Sequence, residues 1–358
     1  MNRLALNIKA NYNLLSINRW LAMRLDAIGN IIVFGTSLLS VVYVHGLGKG
    51  DAALVGLSVL FSVELKHLLH KSIRFYAEME NSMTHVESAT EYTRLLPEAD
   101  TVIEDQRPKD GWPVQGMLEF KNYSARYRNG VDPALKDLSF RVLPGQKIGI
   151  VGRAGAGKSS LTLALSRIIE AESGQILVDG EDISQYGLFD VRSKLSIITK
   201  DSMLFSGTVR ENLDPFNRYS DEDIWHVLEQ VDLAEHFRRK DKRLEFMVVQ
   251  NGKNFPFRHK QLICLARALL KRAKVLVLDE ITSAIDYATD KLIQKTIRTE
   301  FKSCTVLRIS NRPKEIIDSD MVLVIDDGRI AEYDTPQKLL ANKKSLFTKL
   351  IEEAKRSK

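Results

Sequence analysis

The strongest chemical signal in the sequence is a glycine-rich segment that ends in lysine and serine. Residues 152–159 fit the pattern G-x-x-x-x-G-K-[ST], whose backbone N–H groups surround phosphate and whose hydroxyl binds Mg²⁺. The predicted phosphate-binding residues are Gly152, Arg153, Ala154, Gly155, Ala156, Gly157, Lys158, Ser159 and Ser160. Lys158 would reach the β- and γ-phosphates and is therefore also a catalytic candidate, while Ser159 is a candidate metal ligand. The pattern predicts a nucleotide site with Mg²⁺.

A pair of acidic residues follows a second apolar run. Residues 275–278 are all aliphatic, and Asp279 and Glu280 come next. This predicts a buried parallel strand that delivers carboxylates to the C-terminal edge of a sheet, where ligands bind in open α/β folds. Asp279 is expected to hold the metal through its water shell, and Glu280 to polarise an attacking water. The plainer alternative is a solvated pair of acids on the surface, but the fully apolar strand argues against it.

The elements around these motifs also favour an α/β domain. Residues 147–151 form a short apolar run before the glycine loop, and a helical pattern begins at Ser160. The chain has 358 residues, 27% charged, and a net charge of +6 that is spread along its length. No basic arm or aromatic RNA-binding pattern is evident, so we expect no nucleic-acid partner. The two cysteines have no C-x-x-C spacing, which is typical of reduced thiols in a cytosolic domain.

The N-terminal part of the sequence predicts a helical membrane hairpin. Residues 27–44 contain no charge and are just long enough to cross a hydrocarbon layer as a helix. A turn at residues 46–51 and a second, weaker span at about 52–71 follow. Basic residues precede the first span and follow the second, which favours cytosolic ends for the pair. Two buried helices of a soluble domain are the alternative.

These patterns divide the chain into three parts. Residues 1–96 would be a partial transmembrane domain, whose second helix continues into the cytosol. Residues 97–116 contain prolines and acids without a sustained period, which predicts a linker. Residues 117–358 would be the nucleotide-binding domain. The predicted fold is therefore an α/β P-loop NTPase preceded by an α-helical membrane hairpin.

Several further segments resemble one known family. They are residues 123–127 before the glycine loop, 204–216, 264–269, 283–286, 326–330 and, upstream, 18–25. With the motifs above, they resemble ABC transporters, and most closely the last two membrane helices and second nucleotide-binding domain of the C subfamily, the multidrug-resistance-associated proteins. The resemblance implies ATP as the nucleotide, stacking of adenine on Tyr127, a helical subdomain around residues 200–265, and a cassette on the cytosolic side of the membrane.

The sequence departs from the family pattern at positions that carry chemistry. Lys200 stands where the family has a glutamine that touches Mg²⁺ and the attacking water. Residues 255–259 replace the phosphate-binding signature, with Pro256 in place of its serine. Asn311 occupies the position of the switch histidine, and it can donate a hydrogen bond but cannot titrate. We therefore expect weak hydrolysis, with Lys200 and Asn311 at catalytic positions. The alternative is that these changes leave hydrolysis intact.

The resemblance leaves several functional classes open. The chain could be the C-terminal portion of an ATP-driven exporter of organic anions or conjugates, incomplete alone and working with a second ABC half that supplies the missing helices and cassette. It could instead be a regulatory nucleotide-binding subunit that hydrolyses ATP poorly, or an inactive remnant of an interrupted gene. A soluble ABC ATPase is disfavoured by residues 27–44. No feature of the sequence identifies a transported substrate.

Overall fold

A computed structural model of the chain describes residues 2–47, 52–128, 130–281 and 286–356. The chain divides into two compact units, Met1–Glu98 and Ala99–Lys358. The first unit consists of two long helices. The second contains all the strands that are described and the glycine loop.

The first unit is a pair of helices, α1 (Asn2–Leu47) and α2 (Ala52–Thr93). Each is apolar enough and long enough to cross a membrane. At 1.5 Å per residue, each helix is roughly twice as long as a hydrocarbon layer is thick, so part of each must extend beyond such a layer. Residues 18–25 lie in the same helix, α1, as the predicted span 27–44. Of the turn predicted at 46–51, residues 46 and 47 are still helical, and 48–51 lie outside the described residues.

Polar contacts join the two helices. Lys66 on α2 donates a hydrogen bond to Asn30 Oδ1 on α1 at 2.8 Å and pairs with Asp26 at 3.5 Å. The lysine stem passes over Gly29, where a Cβ atom would lie 2.4 Å from Lys66 Cγ. A charge in a helix that crosses a membrane needs such a partner, because lipid offers none. Around these contacts most large apolar side chains of the helices point outward.

The second unit is built on two sheets. The strands are β1 Leu118–Ala125, β2 Leu135–Val142, β3 Lys147–Val151, β4 Ser173–Val178, β5 Glu181–Asp182, β6 Leu195–Ile198, β7 Gly207–Thr208, β8 Met247–Val248, β9 Val275–Asp279, β10 Thr305–Ile309, β11 Met321–Asp326 and β12 Arg329–Asp334. The antiparallel sheet has the strand order β2-β1-β4-β5. The six-stranded sheet has the order β12-β11-β3-β10-β9-β6, in which only β12 is antiparallel. Strands β7 and β8 form a separate ribbon.

Helices flank the parallel sheet and form a subdomain at one side. They are α3 Lys158–Leu165, α4 Leu188–Lys194, α5 Val209–Leu213, α6 Asp221–Gln230, α7 Ala234–Arg238, α8 Phe257–Lys271, α9 Tyr287–Glu300, α10 Pro336–Ala341 and α11 Leu346–Arg356. Side chains of α5 to α8 share one apolar core with strands β9 and β10. The predicted α/β P-loop fold, with a helical subdomain and two preceding apolar helices, is confirmed.

Most of the segment predicted as a linker, residues 99–116, belongs to the second unit and packs within it. Trp112 is buried in the core between the two sheets and donates its indole N–H to the Val178 carbonyl at 3.1 Å. Upstream, the Asp100 carbonyl accepts the N–H of Leu188 at 3.0 Å. The segment is held by backbone and side-chain contacts that follow no sequence period, which is why its packing does not show in the pattern of apolar residues.

The parallel strands determine which residues meet. Strands β3, β10, β9 and β6 are consecutive neighbours, and their C-terminal ends lie along one edge of the sheet. The segments that follow these four ends contain the glycine loop, Asn311, Glu280 and Lys200. Residues from four distant parts of the chain are thus brought to one place by strand pairing alone.

Candidate nucleotide-binding site

The glycine loop connects β3 to α3 as the sequence predicts. Gly155 and Gly157 have φ values of +82° and +102°, in the region that favours glycine. A Cβ atom at Gly152 would lie 2.1 Å from the Ile325 carbonyl oxygen, and one at Gly157 would lie 2.7 Å from that of Ala134. The glycines at 152 and 157 are therefore needed for close backbone approach. The loop runs directly into the N-terminus of α3, and a helix N-terminus favours phosphate.

Lys158 is held against this loop. Its ammonium group donates to the carbonyl oxygens of Gly152 and Arg153, both at 2.9 Å. Burial lowers the pKa of Lys158, and the charges of Glu280 and Asp279 act in the opposite direction. The two carboxylates thus help to keep this buried ammonium charged at the base of the loop.

Ser159 and Asp279 bring two oxygen ligands together. The Ser159 hydroxyl donates to Asp279 Oδ1 at 3.5 Å, although 120 positions separate the two residues in sequence. Burial raises the pKa of Asp279, the Ser159 hydrogen bond opposes this rise, and the nearby Glu280 carboxylate adds to it. The positive charges of Lys158 and Lys200 act against this rise in pKa. Hydroxyl and carboxylate oxygens are the ligands that Mg²⁺ prefers, so the pair fits that ion.

Glu280 lies between Lys200 and Asn311, the two residues predicted to replace catalytic groups. Its N–H donates to the Ile309 carbonyl at 3.0 Å, and its backbone has a φ of +52°, which is unusual for a side chain of this type. Asn311 donates its amide N–H to Oε1, while Lys200 Nζ lies 3.6 Å from Oε2. The Glu280 side chain is 14% exposed and the Lys200 side chain is 58% exposed. Each oxygen of the carboxylate therefore has a partner within the chain.

Tyr127 lies beside the start of α3. Its hydroxyl is 2.8 Å from Ser160 Oγ, which fixes the ring next to the glycine loop. The residue is 55% exposed, so a planar base can reach the ring. The position agrees with a platform for adenine, the role that the family resemblance implies. Stacking of this kind does not depend on hydrogen bonds to the base edge.

Residues 255–259, which are predicted to replace the signature, lie at the start of α8. Pro256 precedes the helix, and Phe255 is buried among the side chains of the helical subdomain. The ring of His259 turns towards that of His236, with the ring centroids 4.5 Å apart. Burial lowers the pKa of His259 to about 4, and the charges of His236 and Arg258 add to this shift. His259 is therefore neutral at physiological pH, and no serine hydroxyl stands at this helix start.

Two further contacts were not foreseen from the sequence. Gln261, which is buried on α8, donates to the backbone carbonyl of Lys200 at 3.0 Å. Arg267, on the same helix, donates to the Met203 carbonyl at 2.9 Å and to Asn212 Oδ1 at 2.8 Å. Both residues join α8 to the segment after β6, at Lys200 and Met203, and no pattern in the sequence indicates these contacts. Of the predicted segment 283–286, residues 283–285 lie outside the described residues. Asp286 caps α9.

Comparisons with known proteins agree with this geometry. The family model described as ABC transporter matches residues 135–283. The chain is 47% identical over 349 residues to the "metal resistance protein YCF1" of Saccharomyces cerevisiae, covering 97% of the chain and 23% of that protein. It is 47% identical over 335 residues to mouse "ATP-binding cassette sub-family C member 3", covering 94% and 22%. It is 42% identical over 364 residues to the "bile pigment transporter 1" of Saccharomyces cerevisiae, covering 97% and 23%.

The chain thus spans about a quarter of the length of these relatives. Its similarity extends over nearly all of its own length, including the two apolar helices and the ATP-binding domain. The chain belongs to the ABC transporter family and corresponds to the C-terminal portion of a C-subfamily member.

Proposed function

We propose that this chain is the ATP-binding C-terminal part of an exporter of organic anions or conjugates, incomplete alone and slow in hydrolysis. One observation carries the proposal: the glycine loop, Tyr127 and Asp279 are assembled at one edge of the parallel sheet. Adenine would stack on Tyr127, and the phosphates would lie in residues 152–160. Lys158 would contact the β- and γ-phosphates, which are the groups that carry most of the negative charge.

A magnesium ion would be held by Ser159 and Asp279. The Ser159 hydroxyl would bind it directly, and Asp279 would bind through water, as is common for an ion that keeps part of its hydration shell. Bound there, Mg²⁺ would neutralise charge on the terminal phosphates. This assignment rests on the 3.5 Å approach of the two oxygen groups.

The transport role rests on the first unit and on the relatives. A path across a membrane needs a ring of helices that satisfies its own polar groups, and the two candidate spans described here cannot form one alone. The chain would therefore work with a second ABC half that supplies further helices and a second cassette. The name of one relative refers to bile pigment transport, which supports export of organic anions or conjugates. The cassette would lie on the cytosolic side.

Slow hydrolysis is inferred from the surroundings of Glu280. A general base must accept a proton from water, and here Asn311 and Lys200 contact its two oxygens. The signature at residues 255–259 would face the nucleotide of a partner cassette, and it lacks the serine that binds phosphate. The same contacts favour a second candidate function, a regulatory subunit that binds ATP without turning it over.

The role of Tyr127 gives a direct test of the nucleotide site. Tyr127→Ala should weaken binding of a fluorescent ATP analogue by at least fivefold, since base–aromatic stacking contributes about 1–3 kcal/mol. Tyr127→Phe keeps the ring and loses only the contact with Ser160, so its affinity should stay within about threefold of that of the unaltered chain. Equal affinity of all three proteins in a fluorescence titration would show that the ring of Tyr127 does not stack on the nucleotide.

The first unit should anchor the chain in membranes. After expression in microsomes, the full chain should stay in the pellet during carbonate extraction. Phe34→Asp with Leu38→Asp changes two exposed positions of the apolar run, and should release a large fraction, because each aspartate costs about 3 kcal/mol at a bilayer centre. Tyr76→Asp with Met79→Asp is the matched control on the exposed, polar part of α2 and should remain in the pellet. Complete extraction of the unaltered chain would contradict membrane insertion.

A further inference from the structure

Lys200 places a positive charge among the acidic groups of the nucleotide site. Strand β6 pairs in parallel with β9, with Ile198 opposite Leu278. The chain therefore leaves both strands at the same edge, and Lys200 comes next to the pair Asp279 and Glu280. The distance from Lys200 Nζ to Glu280 Oε2 is 3.6 Å. The ammonium group thus lies in the region where the metal and the terminal phosphates are expected.

The backbone at this position is fixed while the side chain remains accessible. The buried Gln261 amide donates to the Lys200 carbonyl at 3.0 Å, and Thr199 Oγ1 donates to the Asp201 carbonyl at 3.1 Å. The side chain itself is 58% exposed. An ammonium group has three donors, so it can bond a phosphate oxygen by rotating side-chain bonds while it stays beside Glu280, without moving the backbone.

The charge balance of the site depends on this residue. Lys158 and Lys200 supply two positive charges, which balance the two negative charges of Asp279 and Glu280. A neutral side chain at position 200 would leave the site negative and in need of a cation. Repulsion between an ammonium group and Mg²⁺ about 6 Å apart in a water-like dielectric corresponds to roughly a tenfold loss of metal affinity. The same ammonium attracts the terminal phosphates when no metal is bound.

We propose that Lys200 acts as an internal cation for the terminal phosphates, so that this cassette binds ATP with little dependence on a divalent metal. The proposal rests on the proposed ATP-binding function and adds to it the means by which the phosphate charge is neutralised. Ser159 and Asp279 still fit Mg²⁺, but the metal contributes less to affinity than it would with a neutral residue at position 200. Lys200 is in this sense a residue that sets the metal requirement of the site.

The test is a binding measurement that does not involve turnover. The full chain, purified in detergent, is titrated with a fluorescent non-hydrolysable ATP analogue, once with Mg²⁺ and once with EDTA. The two dissociation constants of the unaltered chain should differ by less than about tenfold. Lys200→Gln should increase this difference at least tenfold, mainly by weakening the binding in EDTA. Lys200→Arg, which keeps the charge, should behave as the unaltered chain does.

Lys194→Gln is the matched control for removing a lysine charge. Lys194 is an exposed residue at the end of α4, six positions before Lys200. Its substitution should leave the ratio of the two constants unchanged, and thermal unfolding should confirm that all variants are folded. Binding that needs Mg²⁺ equally in the unaltered chain and in Lys200→Gln would overturn the role of Lys200 and leave ATP binding intact. No binding by the unaltered chain in either condition would overturn both proposals.

Discussion

Lys200→Gln combined with Asn311→His should raise the rate of ATP hydrolysis on the order of a hundredfold. The expectation follows from the surroundings of Glu280, the residue that we propose accepts a proton from water. In this chain its carboxylate is paired with Lys200 and bonded to Asn311. Positioned acid–base groups typically contribute a factor of 10²–10⁴ to a rate, and that contribution is lost when the base is held by other partners. A glutamine and a histidine would release the carboxylate and position water and phosphate.

The measurement requires a partner cassette with an intact signature. Residues 255–259 would complete the opposite site in a homodimer, and the proline at 256 removes the phosphate-binding hydroxyl there. In the mixed assembly, the steady-state release of phosphate is compared for the unaltered chain, the two single variants and the double variant. Adding Glu280→Gln to the double variant should abolish the gain, because the base is then removed. Rapid hydrolysis by the unaltered chain, unaffected by the two restorations, would show that Lys200 and Asn311 do not impair the site.

The two restorations are not expected to act additively. Both side chains contact the same carboxylate, and residues that share a partner usually show coupling. Either substitution alone leaves Glu280 with one of its two contacts, so most of the gain should appear only in the double variant. If Lys200→Gln alone gave the full increase in hydrolysis rate, the ion pair with Lys200 would be the only contact that impairs Glu280.

The sequence predicts the parts of the site that depend on local structure. The glycine loop needs only a strand, a turn and a helix start within one short segment, and these occur where the pattern indicates. Asp279 and Glu280 follow a run of four buried aliphatic residues, which marks a central parallel strand. The length of the apolar runs also indicates two helices in the first unit, although not that the first helix is already formed at Asn2.

The contacts around Glu280 could not be predicted in the same way. They depend on the strand order β10-β9-β6, which brings Asn311 and Lys200 to opposite sides of Glu280 from distant parts of the chain. No local pattern encodes that order. Family resemblance indicates that both positions belong to the site, but not that the replacements bind the carboxylate itself. The hydrogen bond from the Gln261 amide to the Lys200 carbonyl is likewise a tertiary contact, between a helix and an irregular segment.

Lys158→Ala should weaken ATP binding by at least tenfold, which corresponds to about 1.4 kcal/mol. The side chain is buried, and its ammonium group is fixed by the carbonyl oxygens of Gly152 and Arg153 at the loop that would hold the phosphates. Charge-assisted bonds to phosphate are among the stronger polar contacts in proteins, and the truncated side chain can make none of them. The loss should be larger for ATP than for adenosine, since adenosine has no phosphate.

The control is Lys291→Ala, which removes an exposed lysine from α9 within the same domain. Titrations of the full chain in detergent with a fluorescent ATP analogue should give the same affinity for this variant and the unaltered chain. Because Lys158 is buried, Lys158→Arg is measured as well: it keeps the charge but not the fit to the loop, and should also lose affinity. Equal affinity of Lys158→Ala and the unaltered chain, with both proteins folded, would show that ATP is not bound at the glycine loop.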